Sequence, residues 1–479
     1  MRESYDNISD GRSAVHGIPK MISRANCSID MCHGPLLGKI VRFVIPLMAA
    51  NMMQCLFSAI DLIVIGRYAS ADAMAAVGSS GPLISAILSV FFGLSVGGNV
   101  LVARYIGAKD QERLFRTVHT VIAIALYGGV LLAISGWLIS RPVLELTQPP
   151  PEVLRKATLY MRLYCASIPF TLLYNFGSSI LRAAGDTRRP MIFMIAGGAV
   201  KTSLNLFLVR FFHWEVGGVA TATLIANALS AGLVLATLSG MRDGCRLYWK
   251  RIRIYGAELL DNLKIGIPAG IQGSLFSLSN VVIQSTVNTF GSDAIAGTAA
   301  THSMENIVYV AFISYYFAAI SFVGQNHGAK KPKRIIRSIW YCIALAVFST
   351  SLLCLAIYCN RYALLGIYNS DPAVIEWGAL RMKYLVMIYF LCAIMEVLNG
   401  ALRGLGHSVI PMVTTTSGAC VFRVIWVIWI FPLRPSMENL LLSYPISWIL
   451  VSAVDGAILY YLCRRMLRAA VAKVTPHSA

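Results

Sequence analysis

The sequence predicts an all-α polytopic membrane protein: twelve transmembrane helices arranged as two parallel six-helix repeats around a central cleft. Three observations predict it. The chain is 57% hydrophobic, with a mean hydropathy of +0.66 and only 13% charged residues, where soluble domains carry about 25%. Its apolar residues gather into about twelve segments long enough to cross a bilayer core. Short motifs also recur at one constant offset along the chain.

Taken in order, residues 1–33 are polar and mixed in charge, without an apolar core. They read as a disordered cytoplasmic tail rather than a cleaved signal peptide. The first span covers about 39–66, KIVRFVIPLMAANMMQCLFSAIDLIVIG. Within it Asn51, Gln54, Ser58 and Asp61 are spaced by three, four and three, which places them on one helical face. A carboxylate inside a span costs at least a few kcal/mol on insertion scales, so Asp61 is a functional candidate. Spans near 74–104, 115–140, 157–182, 190–212 and 217–239 complete a first bundle over 34–240. Gly93, Gly97 and Gly98 give the second span a small-residue face for close helix contact, and Pro46 and Pro169 favour bends. The basic stretch 241–257, MRDGCRLYWKRIRIYGA, holds no span and reads as a cytoplasmic linker. Spans near 258–289, 294–326, 335–359, 377–403, 410–432 and 439–463 make a second bundle over 258–465, and 466–479 is a basic cytoplasmic tail.

The bundles are related by a shift of 221 residues: YIGAKDQER at 105–113 matches NHGAKKPKR at 326–334, and LRAAGDTRRPM at 181–191 matches LRGLGHSVIPM at 402–412. DAMAAV at 72–77 pairs with DAIAGT at 293–298 under the same shift. Each half has an even number of spans, so both insert the same way round, related by an axis along the membrane normal. Secondary transporters place their substrate in the cleft between such bundles.

A net charge of +19 invites a nucleic-acid reading, but the charges sit in short loops between spans. With the N-terminus inside, about 26 Lys and Arg fall on the cytoplasmic side and about 7 outside. Both termini are therefore expected in the cytoplasm, with no nucleic-acid partner. The eleven cysteines are scattered and read as small apolar fillers, not a disulfide framework or metal site. GPLLGKI at 34–40 lacks the spacing and the Ser or Thr of a phosphate loop, which argues against a nucleotide-driven pump, and His302 and Glu305, three apart, find no third ligand for an enzyme site.

In this order, IPLMAANMMQCLFSAIDLIVIGRY, ADAMAAVG, ARYIGAKD, LRAAGDTRRPM, ALRGLGHSVIPM and CVFRVIWVIWIF resemble the multidrug and toxic-compound extrusion (MATE) family over roughly residues 35–465. The resemblance implies two six-helix bundles around a V-shaped cavity in a multi-pass protein of the bacterial inner membrane. It implies export of organic, often cationic, drugs or toxic metabolites in exchange for H⁺ or Na⁺, with no cofactor beyond the coupling ion; the repeat within one chain favours a monomer. Related folds move lipid-linked oligosaccharides, which leaves a flippase as the alternative. Asp61 occupies the place of the family's first-helix coupling acid, and Asn205 matches a polar position of the same bundle. Where many members carry a second acid this chain has Val209, and it adds Lys201 one turn before Asn205. That departure leans towards H⁺, because an ammonium repels Na⁺.

Asp61, Asn205 and Lys201 are therefore the expected coupling residues. Gln54, Ser58, Asn280, Gln284, Glu305 and Glu396 are the expected cavity residues. Ser277, Asn280 and Gln284 share a face of the seventh span, Glu305 lies beside His302, and Glu396 lies mid-span. Arg423 and Asp455 are read as a possible structural pair. Tyr174, Tyr309, Tyr315, Tyr316 and Tyr389 are read as packing or cation–π faces.

Overall fold

A computed structural model describes residues 28–145, 150–212, 214–241 and 244–472. These residues form twelve long helices and no strand. The N-terminal half contains α1 (Leu36–Tyr68), α2 (Ala71–Ala108), α3 (Gln111–Glu145), α4 (Pro151–Ala183), α5 (Arg188–Phe211) and α6 (Glu215–Gly240). The C-terminal half contains α7 (Gly256–Val287), α8 (Ser292–Gly328), α9 (Pro332–Cys359), α10 (Pro372–Ile388 and Phe390–Gly404), α11 (Val409–Leu433) and α12 (Met437–Ala472). Eleven are long and apolar enough to span, counting α10 as one helix bent by 44°. The twelfth, α4, carries Glu152, Arg155, Lys156 and Arg162 in its first third. Leu131, Leu138, Phe348 and Trp429, exposed by 66–73%, belong to the apolar outer surface that lipid covers.

Local chemistry sets the helix ends. The Ser70 side chain accepts from the Ala73 amide at 3.3 Å and caps α2. Proline opens α4, α9 and α10, where its missing N–H is not needed. α2 stops at Lys109 with φ 57°, and just beyond the end of α8 Lys330 has φ 55°; the two are one repeat apart. Gly185 and Gly406, also one repeat apart, have φ 89° and 91°, values that need glycine. The repeat read from sequence therefore extends to backbone geometry.

The halves meet along α2, α7 and α8. Gly93 abuts Gly266 and Gly270, and Gly107 abuts Gln325, each so closely that a Cβ would overlap backbone. Cross-half hydrogen bonds run from the end carrying the basic loops to the middle: Gln325 donates to the Ala183 carbonyl at 2.7 Å, Ser321 to Asn99 at 3.1 Å, and Ser89 meets Ser274 at 2.8 Å. Among the described residues they continue to about a turn past the middle, where Asn306 reaches Cys55 Sγ at 3.8 Å.

Several boundaries differ from expectation. The basic-end part of α1 is not confined to the first bundle: Leu36, Ile40, Phe43, Val44 and Leu47 join the hydrophobic core of the second half. Phe43 packs edge-on against Phe322, centroids 5.7 Å apart. Val64 and Ile65, near the far end, belong to the first half's core, and Ile60 packs against it. Residues 28–33 were expected in a disordered tail, yet Met31 is fully buried, because donors from the second half hold its backbone. Residues 1–27 and 473–479 lie outside the described residues, and α12 continues through 466–472 as helix. Linker residues pack on α3: the Tyr248 and Tyr255 amides donate to His119 Nε2 at 3.1 Å and Thr120 Oγ1 at 3.2 Å.

Candidate functional site

α1 and α5 place the first site. Asp61 lies on α1, and one turn apart on α5 lie Lys201 and Asn205. The Lys201 ammonium donates to Asp61 Oδ2, and Asn205 Nδ2 donates to Asp61 Oδ1 at 2.9 Å. Asn205 is fully buried and Asp61 is 9% exposed. The carboxylate is thus held by one charged and one neutral donor, which offsets its desolvation. Val209, one turn further along α5, is also fully buried, so the position where related chains carry a second acid is apolar here.

This cluster borders a cavity of about 520 Å³ inside the first half. Gln54 and Ser58 of α1 line it together with Asp61 and Lys201, as their shared helical face requires. Sequence reading missed the opposite wall: Tyr160 and Tyr164, one turn apart on α4, and Thr171, Asn175 and Asn227. Asn227 donates to Thr171 Oγ1 at 2.9 Å, and Asn175 donates to the Thr171 carbonyl at 2.8 Å. The tyrosine spacing of four was the available signal.

The second-half candidates are not gathered into that cavity. Asn280 and Gln284 lie on an exposed face of α7 with Ser277, and Gln284 donates to Asn288 at 3.1 Å. Glu305 is buried and bound by both arms of Arg381, at 2.8 and 3.0 Å, while His302 points to another, exposed face of α8. Glu396 is half-buried on α10, within electrostatic range of Arg403 and Asp455. Arg403, inside the LRGLGHSVIPM stretch, donates to Tyr316 Oη and Gln272 Oε1.

Arg423 and Asp455 do not pair. Arg423 donates to Ser447 Oγ at 3.1 Å, and its guanidinium lies 4.2 Å from the Tyr444 ring centroid. Asp455 accepts from Thr414 at 2.8 Å. Each is bonded to a hydroxyl on the facing helix instead. The tyrosines mostly pack: Tyr389 stacks edge-on with Trp448 at 5.2 Å, and Tyr174 donates to the Pro190 carbonyl at 3.1 Å.

A two-repeat helical bundle with eleven apolar spans and a buried charged cluster beside a cavity point to a multi-pass membrane transporter. The MatE family profile matches residues 46–207 and again 268–429, once in each half. The chain belongs to that family of efflux transporters. It is 28% identical over 379 residues to the probable multidrug resistance protein YoeA of Bacillus subtilis, covering 78% of this chain and 82% of that protein. It is 24% identical over 452 residues to a FAD transporter of Shewanella oneidensis, covering 91% and 96%. Among solved structures, an outward-facing conformation of a multidrug resistance MATE family transporter superposes with a TM-score of 0.85 at 20% identity, covering 91% of this chain and 98% of that one.

Proposed function

We propose that this chain is a secondary antiporter of the bacterial inner membrane, exporting organic drugs or toxic metabolites in exchange for H⁺ by alternating access. The observation that carries this reading is the Asp61–Lys201–Asn205 cluster at the wall of the first-half cavity. Sidedness follows from the positive-inside bias: the basic loops and both termini face the cytoplasm, and the end of the seam closed by Gly107 and Gly328 is the cytoplasmic one.

Coupling follows from charge. A proton taken up by the Asp61 carboxylate removes the charge that holds Lys201. An organic cation approaching the same carboxylate displaces the ammonium instead. Asp61 cannot satisfy both, so proton and substrate exclude each other, which antiport requires. Sodium fits less well, because the Lys201 ammonium already occupies the carboxylate and Val209 supplies no oxygen. The preference for cations rests on Asp61 and on Glu396, which has no salt-bridge partner among the described residues. Relatives named for multidrug resistance support a broad organic range, and the aromatic wall of Tyr160 and Tyr164 suits flat, apolar molecules.

The test is efflux of a fluorescent organic cation from cells, wild type beside Asp61→Asn at equal surface expression, under imposed H⁺ and Na⁺ gradients separately. Export that follows the H⁺ gradient and vanishes in Asp61→Asn is expected. Normal export by Asp61→Asn would move the coupling site elsewhere, with Glu396 the next residue to change.

A further inference from the structure

Seven residues ahead of α1 cross from one half to the other. At Ile29 the backbone amide donates to the Gly185 carbonyl, at 3.1 Å, in the loop after α4 of the first half. Gly185 admits this contact because it has φ 89° and no side chain: a Cβ there would lie 2.5 Å from the Ile29 carbonyl oxygen. From Asp30 to Gly34 the segment is held by its carbonyls, chiefly from the second half. Arg334 donates to the carbonyls of Met31 at 2.9 Å, His33 at 2.7 Å and Gly34 at 2.9 Å. Lys331 donates to the Cys32 carbonyl at 3.0 Å, and Asn326 to the Met31 carbonyl at 3.2 Å. Lys39, one turn into α1, donates to the Asp30 and His33 carbonyls at 2.6 Å each. Met31 is fully buried within the second half's core.

These bonds sit at the end where Gly107 and Gly328 close the halves against each other. If that end parts, Gly185 moves with one half, while Asn326, Lys331 and Arg334 move with the other. The segment cannot keep both sets of partners. We propose that residues 28–34 are a latch, a strap that docks across the seam and holds the basic end shut, so that it must release one anchor before this end opens. The inference rests on the alternating-access reading above. It adds an element that the six-helix repeat does not require. Charge-assisted bonds from one arginine to three carbonyls suit this role, since they are strong in place and readily exchanged for water at an exposed edge.

The repeat sharpens the point. One repeat on from the strap, the stretch before α7 also crosses between halves, with Tyr248 and Tyr255 bonded to α3. That crossing is covalently obligatory, because it joins the halves. Among the described residues the strap is covalently joined to α1 only, so its docking on the adjoining ends of α8 and α9 is free to break.

The test uses the full-length purified protein and hydrogen–deuterium exchange resolved by peptide, without drug, so it does not depend on transport. Two variants attack opposite anchors. Ile29→Pro removes the N–H given to Gly185, and Arg334→Met removes the three-carbonyl clasp while keeping the stem. Gly107→Val, which wedges the seam directly, is the positive control. Both anchor variants are expected to speed exchange in the strap and also in seam peptides 103–110 and 324–331. The expected factor is at least about tenfold, the change that ~1.4 kcal/mol makes in an equilibrium, with thermal midpoints near wild type. Faster exchange in the strap with the seam unchanged overturns the latch, since the strap would then be a passenger. An unchanged seam in both anchor variants, with Gly107→Val opening it, also overturns the latch and leaves alternating access standing. An unchanged seam in all three would count against the opening motion itself, and the latch falls with it.

Discussion

Gly107 and Gly328, one repeat apart, occupy equivalent places on the two sides of the seam. Gly107 lies against the Gln325 carbonyl and Gly328 against the Arg104 carbonyl, and Arg104 and Gln325 are themselves one repeat apart. The pseudo-twofold axis of the molecule therefore passes between the ends of α2 and α8. No room exists for a Cβ at either glycine while this end is closed. Overpacking such a contact costs on the order of 1–3 kcal/mol. Gly107→Ala or Gly328→Ala should lower the closed-to-open ratio by roughly one to two orders of magnitude. Distance measurements between the α2–α3 and α8–α9 loops would check this, and an unchanged distance distribution in both variants would refute it.

The same symmetry gives the side chains of Arg104 and Gln325 matching tasks. Arg104 Nη2 donates to the Leu405 carbonyl at 3.0 Å, and Gln325 Nε2 to the Ala183 carbonyl at 2.7 Å. Each ties the end of α2 or α8 to the end of a helix in the opposite half. Replacing either by Met should remove about 0.5–1.5 kcal/mol from the closed state, with the charged donor at or above that range. The double replacement should be nearly additive, because the two bonds share no partner. Exchange rates at the Leu405 and Ala183 regions are the measurement, and strong non-additivity would show that the two bonds are one network.

Much of this fold was legible in one dimension. Hydropathy marks the spans, and a repeat such as Gly107 and Gly328 survives as identical letters at a constant offset. The Asp61 cluster was half legible: helical spacing aligns Gln54, Ser58 and Asp61, and Lys201 stands out as a cation inside a span. The Glu305–Arg381 pair was not, because 76 residues separate its members and only the packing of α10 on α8 joins them. Arg381 and Lys383, two cations just inside an apolar segment, were the available hint. The strap was the least legible. Its anchors are backbone amides and carbonyls, which nearly every residue carries, so its composition reads as tail.

At Cys32, in the strap, burial and then the Asp30 carboxylate push the thiol above its usual value, with Lys331, Arg334 and Lys39 opposing. The thiolate is the reactive species. Alkylation of Cys32 at neutral pH should therefore be slower than that of an exposed peptide thiol, and its rate should still be climbing where the exposed thiol has levelled. Peptide mapping after timed maleimide treatment across a pH series reads this out. A rate curve that superposes on the exposed thiol's would mean that Cys32 is not held as described.

Asp61 and Lys201 should behave as one unit in stability. Lys201→Met leaves a buried carboxylate with Asn205 alone, and Asp61→Asn leaves a half-buried ammonium without its partner. Either change should cost about 3 kcal/mol, the low end of the range for breaking a buried pair, since the site borders a cavity. The double variant should recover most of that loss. Thermal unfolding of the four proteins closes the cycle, and additive losses would mean that the pair contributes no coupling energy.

Glu305 and Arg381 differ from that pair in one respect that bears on function. Their side chains are 6% and 7% exposed and joined by two bonds, so neither is presented to a substrate. Arg381→Met should destabilise by about 3–5 kcal/mol through the uncompensated Glu305 carboxylate. Adding Glu305→Gln should restore most of the stability, since a neutral pair carries no charge to desolvate. Transport by the double variant should stay near wild type with substrate affinity unchanged, because the pair braces α8 against α10 and touches no cargo. An affinity for organic cations that falls in the double variant while its thermal midpoint holds would instead place Glu305 in the substrate path.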